Sequence, residues 1–241
     1  MTNDVLFLRR TRWAGATALL LFWIATLTYP GGTSLNPEAI GYSFSQNFLS
    51  DLMSSVAWNG QRNRVSAVLA GAGMAMFAAT FVAHGLFITG MWPPVGRHAW
   101  TAVAAMTAGT VACLGLVGVA LAAPDRWLTL HLLFVTLSLA GGVAACLLLS
   151  VSVWRNRTLP RGIAVSCFGA ALALVALFAM RWGPPITTPR GLTMQVVAQK
   201  AAALVSLALF FYQNVRMERH ASSHQPAREP PFPFLSAPPE R

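Results

Sequence analysis

Few side chains in this sequence can hold a proton, a charge or a ligand in apolar surroundings. The chain has seven acidic residues, five histidines and seventeen Lys plus Arg among 241 residues. Lys200 is the one lysine, and it lies eight residues past Leu192 inside the apolar run Leu192–Val215. A helix rises about 1.5 Å per residue, which puts Lys200 about 12 Å into that run. An ammonium near the centre of a bilayer costs about 2.5–3.5 kcal/mol on insertion scales. Lys200 is therefore expected to face a partner or a wet cavity; a tilted helix or a purely structural polar contact is the other use of such a residue. Gln195 and Gln199 share its half of the run. Asp125 and Arg126 stand at the entry to the apolar run Trp127–Val153, and His131 is one turn inside it. His84 lies deep in the opposite half of another run. Asp51 belongs to a polar stripe, Asn47, Ser50, Asp51 and Ser54, spaced i, i+3, i+4, i+7.

The chemistry open to these groups is proton transfer by Asp51 or His131 and a buried pair between Asp51 and Lys200, direct or through water, with Gln199 or His131 beside it. The remaining carboxylates are poorer partners. Asp4, Glu218, Glu229 and Glu240 fall at the opposite membrane face, Glu38 precedes the stripe, and Asp125 adjoins Arg126. No metal or other cofactor is expected, because only Asp51 and His131 combine suitable chemistry and depth, and His220 and His224 lie beyond the last run. Cys113, Cys146 and Cys167 sit in apolar runs without C-x-x-C spacing and read as small buried hydrophobes. There is no P-loop, H-E-x-x-H or nucleophile elbow.

The elements that must position these groups are membrane helices. Hydrophobic residues make up 55% of the chain and charged residues 10%, against about 25% charged in soluble domains. Six apolar runs, Trp13–Tyr29, Val65–Trp92, Ala99–Ala122, Trp127–Val153, Gly162–Met180 and Leu192–Val215, each approach the roughly 20 residues that cross a bilayer. In lipid they must be helical to satisfy their own backbone. Trp13, Trp92, Trp127, Trp154 and Trp182 mark the run ends, where aromatic rings favour the interface. Small residues, Gly71 with Ala75 and Gly118 with Ala122, allow close helix approach. The fold expected is all-α: a polytopic membrane protein with a six-helix transmembrane bundle.

The net charge of +10 does not indicate nucleic-acid binding, because the arginines separate apolar runs instead of clustering on one soluble face. Arginine usage fits a GC-rich, bacterial genome. With the N-terminus cytoplasmic, the inner segments hold eleven arginines (9, 10, 12, 97, 155, 157, 161, 216, 219, 228 and 241) and the outer ones five (62, 64, 126, 181 and 190). That bias predicts a multi-pass protein of the inner cell membrane with both termini cytoplasmic. The first run is taken as a span, not a cleaved leader, because its exit Thr28-Tyr29-Pro30-Gly31 offers no small-x-small site. Three segments follow: 1–12, a cytoplasmic lead; 13–215, the transmembrane domain; and 216–241, an irregular proline-rich cytoplasmic tail.

The first outer loop, from Pro30 to Arg64, is long for a small bundle. Pro30-Gly31-Gly32-Thr33 ends the first helix, and Ser43-x-x-Gln46 has capping-box spacing. Phe44, Phe48, Leu52 and Val56 recur every four residues before the stop signal Asn59-Gly60. A short amphipathic helix within Phe44–Trp58 is expected, either packed at the interface or acting as a lid whose polar stripe lines an outward-facing pocket.

Asn47-Phe48-Leu49-Ser50-Asp51-Leu52 resembles the N-[FY]-[IL]-S-[DE]-L motif of a bacterial and archaeal six-span membrane family known only as a domain of unknown function. Asn63-x-x-Ser66, Ala123-Pro124-Asp125-Arg126-Trp127 and His131-Leu132-Leu133-Phe134 extend the resemblance over residues 10 to 215. Met53 stands where a glycine often follows in that motif. A fainter likeness is to the I-S-[DE]-x-G motif of damage-regulated autophagy modulator-type proteins. The resemblance implies the six-span topology and no activity. The function expected is a non-catalytic binding, sensing or scaffold bundle among membrane lipids, with a polar pocket for a lipid or amphiphile. That pocket draws on Asn47, Ser50, Asp51, Asp125, Arg126, His131, Gln195, Gln199 and Lys200. An intramembrane lipid-modifying enzyme using Asp51 or His131 is the alternative. A small-solute transporter, which would show broken helices in repeated halves, is the third.

Overall fold

The computed structural model describes residues 3–90, 99–156 and 159–223. Six long helices account for most of them: α1 (Asn3–Thr28), α2 (Arg64–Gly90), α3 (Ala99–Leu121), α4 (Leu128–Arg155), α5 (Arg161–Ala179) and α6 (Pro189–Ser223). No strand occurs among the described residues; there are two isolated bridges, Gly31 with Ile40 and Val56 with Arg62. Five helices, α2 to α6, are long and apolar enough to cross a membrane. Each helix packs on its sequence neighbours, and α6 returns to α1, so the six close into a ring.

Glycines set how closely α3 and α4 approach. A Cβ at Gly115 would lie 2.6 Å from Ser138 N, and one at Gly141 would lie 2.8 Å from Ala112 N. Gly118 faces the Phe134 ring just as tightly. Gly71, expected at a close contact, has only Ala120 O at 3.8 Å; the tight seam is α3–α4. The apolar core falls into two clusters. At the end carrying the termini, Leu8, Ile88, Val153, Ile163, Cys167 and Met217 pack together. At the other end, Ala25, Tyr29, Leu52, Met53, Ala57, Ala70 and Val119 do so, and four of these come from the loop between α1 and α2. That loop is a folded cap on the bundle.

Three expectations change. First, α1 begins at Asn3, so the lead segment 1–12 is helical from residue 3. Second, α6 runs to Ser223, so residues 216–223 are helix and not irregular tail. The two changes share a cause: Arg9 Nε and Arg12 Nη1 hold the Glu218 carboxylate at 2.6 and 2.9 Å, while Met217 is fully buried. Docking thus extends both helices past the apolar runs. The expectations for 224–241, His224, Trp92, Arg97 and Arg157 lie outside the described residues. Third, the cap contains no amphipathic α-helix over Phe44–Trp58, only a 3₁₀ turn at Leu49–Met53. The polar stripe is also not the wet face: Asn47, Asp51 and Ser54 are buried together with Leu52, whereas Phe44 and Val56 are 53% and 43% exposed.

Candidate functional site

The cap takes its shape from a few polar side chains that bond its backbone. Gly32, at φ +85°, turns the chain back after α1, in a conformation that L side chains rarely adopt. Its carbonyl accepts from Asn47 Nδ2 at 3.0 Å, and a Cβ at Gly32 would collide with Trp58. Asn47 is fully buried and fully bonded. Its Oδ1 accepts from Ser43 N at 2.9 Å, and its Nδ2 also donates to Asp51 Oδ2 at 3.1 Å. Asn47, four residues on, therefore takes the cap position at Ser43 that the sequence suggested for Gln46. Asp51 Oδ2 also accepts from Phe48 N at 2.9 Å, which winds the 3₁₀ turn. Entering α2, Asn63 Nδ2 donates to Leu52 O at 3.0 Å and Ser54 O at 2.9 Å, and Ser66 Oγ donates to Leu52 O at 3.1 Å. These bonds satisfy buried carbonyls and amide donors, which are expensive to leave unpaired, although Asn63 Oδ1 itself has no partner among the described residues.

α6 fastens this cap from below. Lys200 Nζ donates to Phe44 O at 2.8 Å and Asn47 O at 2.5 Å, and it lies 5.0 Å from the Tyr42 ring centroid. Gln199 Oε1 accepts from Leu49 N at 2.8 Å. Lys200 makes no ion pair among the described residues. It is linked to Asp51 through Asn47, whose carbonyl takes the ammonium and whose side chain bonds the carboxylate. Asp51 is nonetheless an electrostatic hub, its charge acting on Tyr29, Tyr42, His131 and Lys200. Burial pushes the Asp51 carboxyl up from its ordinary range, against the opposing pull of the Asn47, Phe48 and Trp58 hydrogen bonds and the Lys200 charge. Burial, the Asp51 charge and the neighbouring Tyr29 likewise push the Tyr42 phenol up, which keeps its hydroxyl protonated and donating to Asn47 O and Phe48 O at 3.0 and 3.1 Å.

A second fastening ties the cap to the α3–α4 turn. Asp125 Oδ1 accepts from Ser55 N at 3.0 Å, and Oδ2 accepts from Ser55 Oγ at 2.5 Å and Val56 N at 3.2 Å. Arg126 Nε donates to Ser55 Oγ at 2.9 Å. Partial burial raises the Asp125 carboxyl, but the bonds from Ser55 and Val56 outweigh it and hold the group below its usual range. His131 is buried, and its Nδ1 lies 2.7 Å from Ala122 O. A carbonyl only accepts, so Nδ1 carries the proton and Nε2 is left basic.

Of the nine residues singled out by sequence, Asn47, Asp51, Gln199 and Lys200 meet in one network, with His131 within reach of the Asp51 charge. Asp125 and Arg126 form the separate fastening. Ser50 is half-buried and bonds to none of them, and Gln195 Nε2 instead donates to Pro184 O at 2.8 Å in the α5–α6 connection. Sequence reasoning missed Tyr29, Tyr42 and Trp58 at the hub. It also missed a polar chain in the other half of the bundle. There His84 Nε2 bonds Gln213 Oε1 at 3.0 Å, and Gln213 Nε2 donates to Ser166 Oγ at 3.0 Å. Gln213, between three and four turns past Lys200 on α6, was the visible signal, a buried amide inside an apolar run. No family model, curated protein or solved structure matches this chain.

Proposed function

We propose that the chain is a six-span protein of the inner cell membrane, with both termini cytoplasmic, that binds a lipid or amphiphile at its capped outer end without transforming it. The observation that carries this reading is where the polar groups point. Lys200, Gln199 and Asn47 bond protein backbone, and Asp51 is held by Phe48 N and by the Asn47 and Trp58 side chains, which suits a preorganised receptor or scaffold and leaves little free for catalysis. Beside the hub, Trp23 and Phe44 lie 6.1 Å apart and are both more than half exposed, offering an apolar track for a chain whose head reaches Asp51 and His131. The Asn47–Leu52 stretch leads into the 3₁₀ turn at Leu49–Met53 and carries the Asn47 and Asp51 bonds that shape the cap, which supports placing the chain with the six-span family it resembles.

One observation favours a second reading, lipid modification by acid–base chemistry. His131 has a basic Nε2 with no hydrogen bond among the described residues, and the Asp51 charge acts on it. The test is native mass spectrometry of the chain released from lipid nanodiscs, followed by incubation with mixed lipids. An amphiphile adduct in the wild type that Asp51→Asn and His131→Gln both lose, with lipid masses unchanged, supports the receptor. A lipid mass change that His131→Gln abolishes would transfer the reading to the enzyme, and no adduct at all would sink both.

A further inference from the structure

α4 and α5 differ in length, and the mismatch places one arginine at a particular level. α5 has 19 residues and α4 has 28. At about 1.5 Å per residue these are about 28 and 42 Å long, against a hydrocarbon core of about 30 Å. α5 therefore just spans, and α4 overshoots it at the capped end. Where α5 stops, a 3₁₀ turn at Met180–Trp182 carries Arg181. Trp182 beside it is 76% exposed, as expected of an aromatic ring at the headgroup boundary. Arg181 Nη1 donates to Thr136 Oγ1 on α4 at 2.8 Å, and its guanidinium lies 5.8 Å from the centroid of the Phe178 ring. The Thr136 hydroxyl gives its own proton to Leu132 O at 2.8 Å, so it only accepts from the arginine.

The guanidinium is thus oriented by two neighbours, yet Arg181 forms no ion pair among the described residues. A guanidinium has five N–H donors in a rigid fork suited to phosphate, and most of this fork is unfilled. Below it run exposed aliphatic side chains, Leu137 on α4 and Leu172 and Val175 on α5. An oriented cation at the headgroup level above an aliphatic surface has the complementary shape of a phosphodiester carrying acyl chains. We propose that the α4–α5 seam is a phospholipid site, with Arg181 gripping the phosphodiester and Thr136 holding Arg181 in place. It is distinct from the capped hub and does not depend on how that hub functions.

Native mass spectrometry tests this with the full chain moved from phosphatidylglycerol or phosphatidylethanolamine nanodiscs into a sugar-headgroup detergent, counting retained phospholipids. The wild type should keep one adduct that Arg181→Gln reduces at least tenfold. Arg181→Lys should keep part of it, as a point charge without the fork, and Thr136→Val should weaken it while leaving the charge in place. Arg190→Gln, a neighbouring cation outside the seam, should match the wild type. Equal adducts in wild type and Arg181→Gln, or the same loss in Arg190→Gln, would overturn the site. Inorganic phosphate displacing the lipid at millimolar concentration would show that the fork takes the bare anion, and would overturn the phospholipid assignment.

Discussion

Replacing Lys200 with methionine should loosen the cap while leaving the helices in place. Methionine keeps a long apolar side chain in the same space but removes both bonds from Nζ, to Phe44 O and Asn47 O. A hydrogen bond to a charged group contributes about 1.5–3 kcal/mol when buried and less when exposed. Phe44 is 53% exposed, so its bond counts near or below the bottom of that range, while Asn47 O is covered. The contact with the Tyr42 ring adds about 0.5–1 kcal/mol. The sum, about 2–4 kcal/mol, amounts to at least a thirtyfold shift in a local opening equilibrium, at about 1.4 kcal/mol per factor of ten. Amide hydrogen exchange is the assay. Phe48 N and Leu49 N, which donate to Asp51 and Gln199, should exchange about thirtyfold faster or more in Lys200→Met, while amides within α3 and α5 keep wild-type rates. Unchanged exchange at Phe48 and Leu49 would refute the reasoning, and uniform acceleration through every helix would show that Lys200 holds the bundle and not the cap.

The Asp125 fastening should be acid-sensitive: its folded-state carboxyl is held below the ordinary value of about 3.9, so its contribution is complete above that value and lost as pH falls through the lowered one. Exchange at Ser55 N and Val56 N should accelerate below about pH 4 and be fast at every pH in Asp125→Ala; a flat wild-type profile would contradict this. Gly115→Val should abolish or strongly lower the folded yield because backbone lies 2.6 Å from its Cβ position, whereas Gly71→Ala, facing only Ala120 O at 3.8 Å, should raise the melting temperature or leave it unchanged.

The helices were readable because membrane insertion imposes a local rule: an apolar run must satisfy its own backbone. The run Gly162–Met180 matches α5 to within a residue at each end. The rule fails where docking takes over, at the extended ends of α1 and α6. The cap was misread for a related reason. Phe44, Phe48, Leu52 and Val56 carry helical spacing, but Asn47 and Asn63 bond loop carbonyls and overrule it. Side chains of Asn and Asp compete with helix hydrogen bonding in this way, and spacing alone does not reveal which choice wins. That Lys200 needed a partner followed from its depth. That the partners are the carbonyls of Phe44 and Asn47 did not, because every residue has a carbonyl.

The bond from Leu49 N to Gln199 Oε1 joins residues 150 positions apart in the chain. Synthesis at about 5–20 residues per second makes Gln199 roughly 8–30 s after Leu49. Throughout that interval the loop between α1 and α2 has its own internal bonds but lacks the two side chains that clamp it from below. A nascent chain therefore carries an unfastened loop at the capped end of the bundle until α6 joins it. Closure of the cap then reports that the last helix has joined the first, and any quality-control protease acting at that end meets an open substrate only in chains that have not finished assembling.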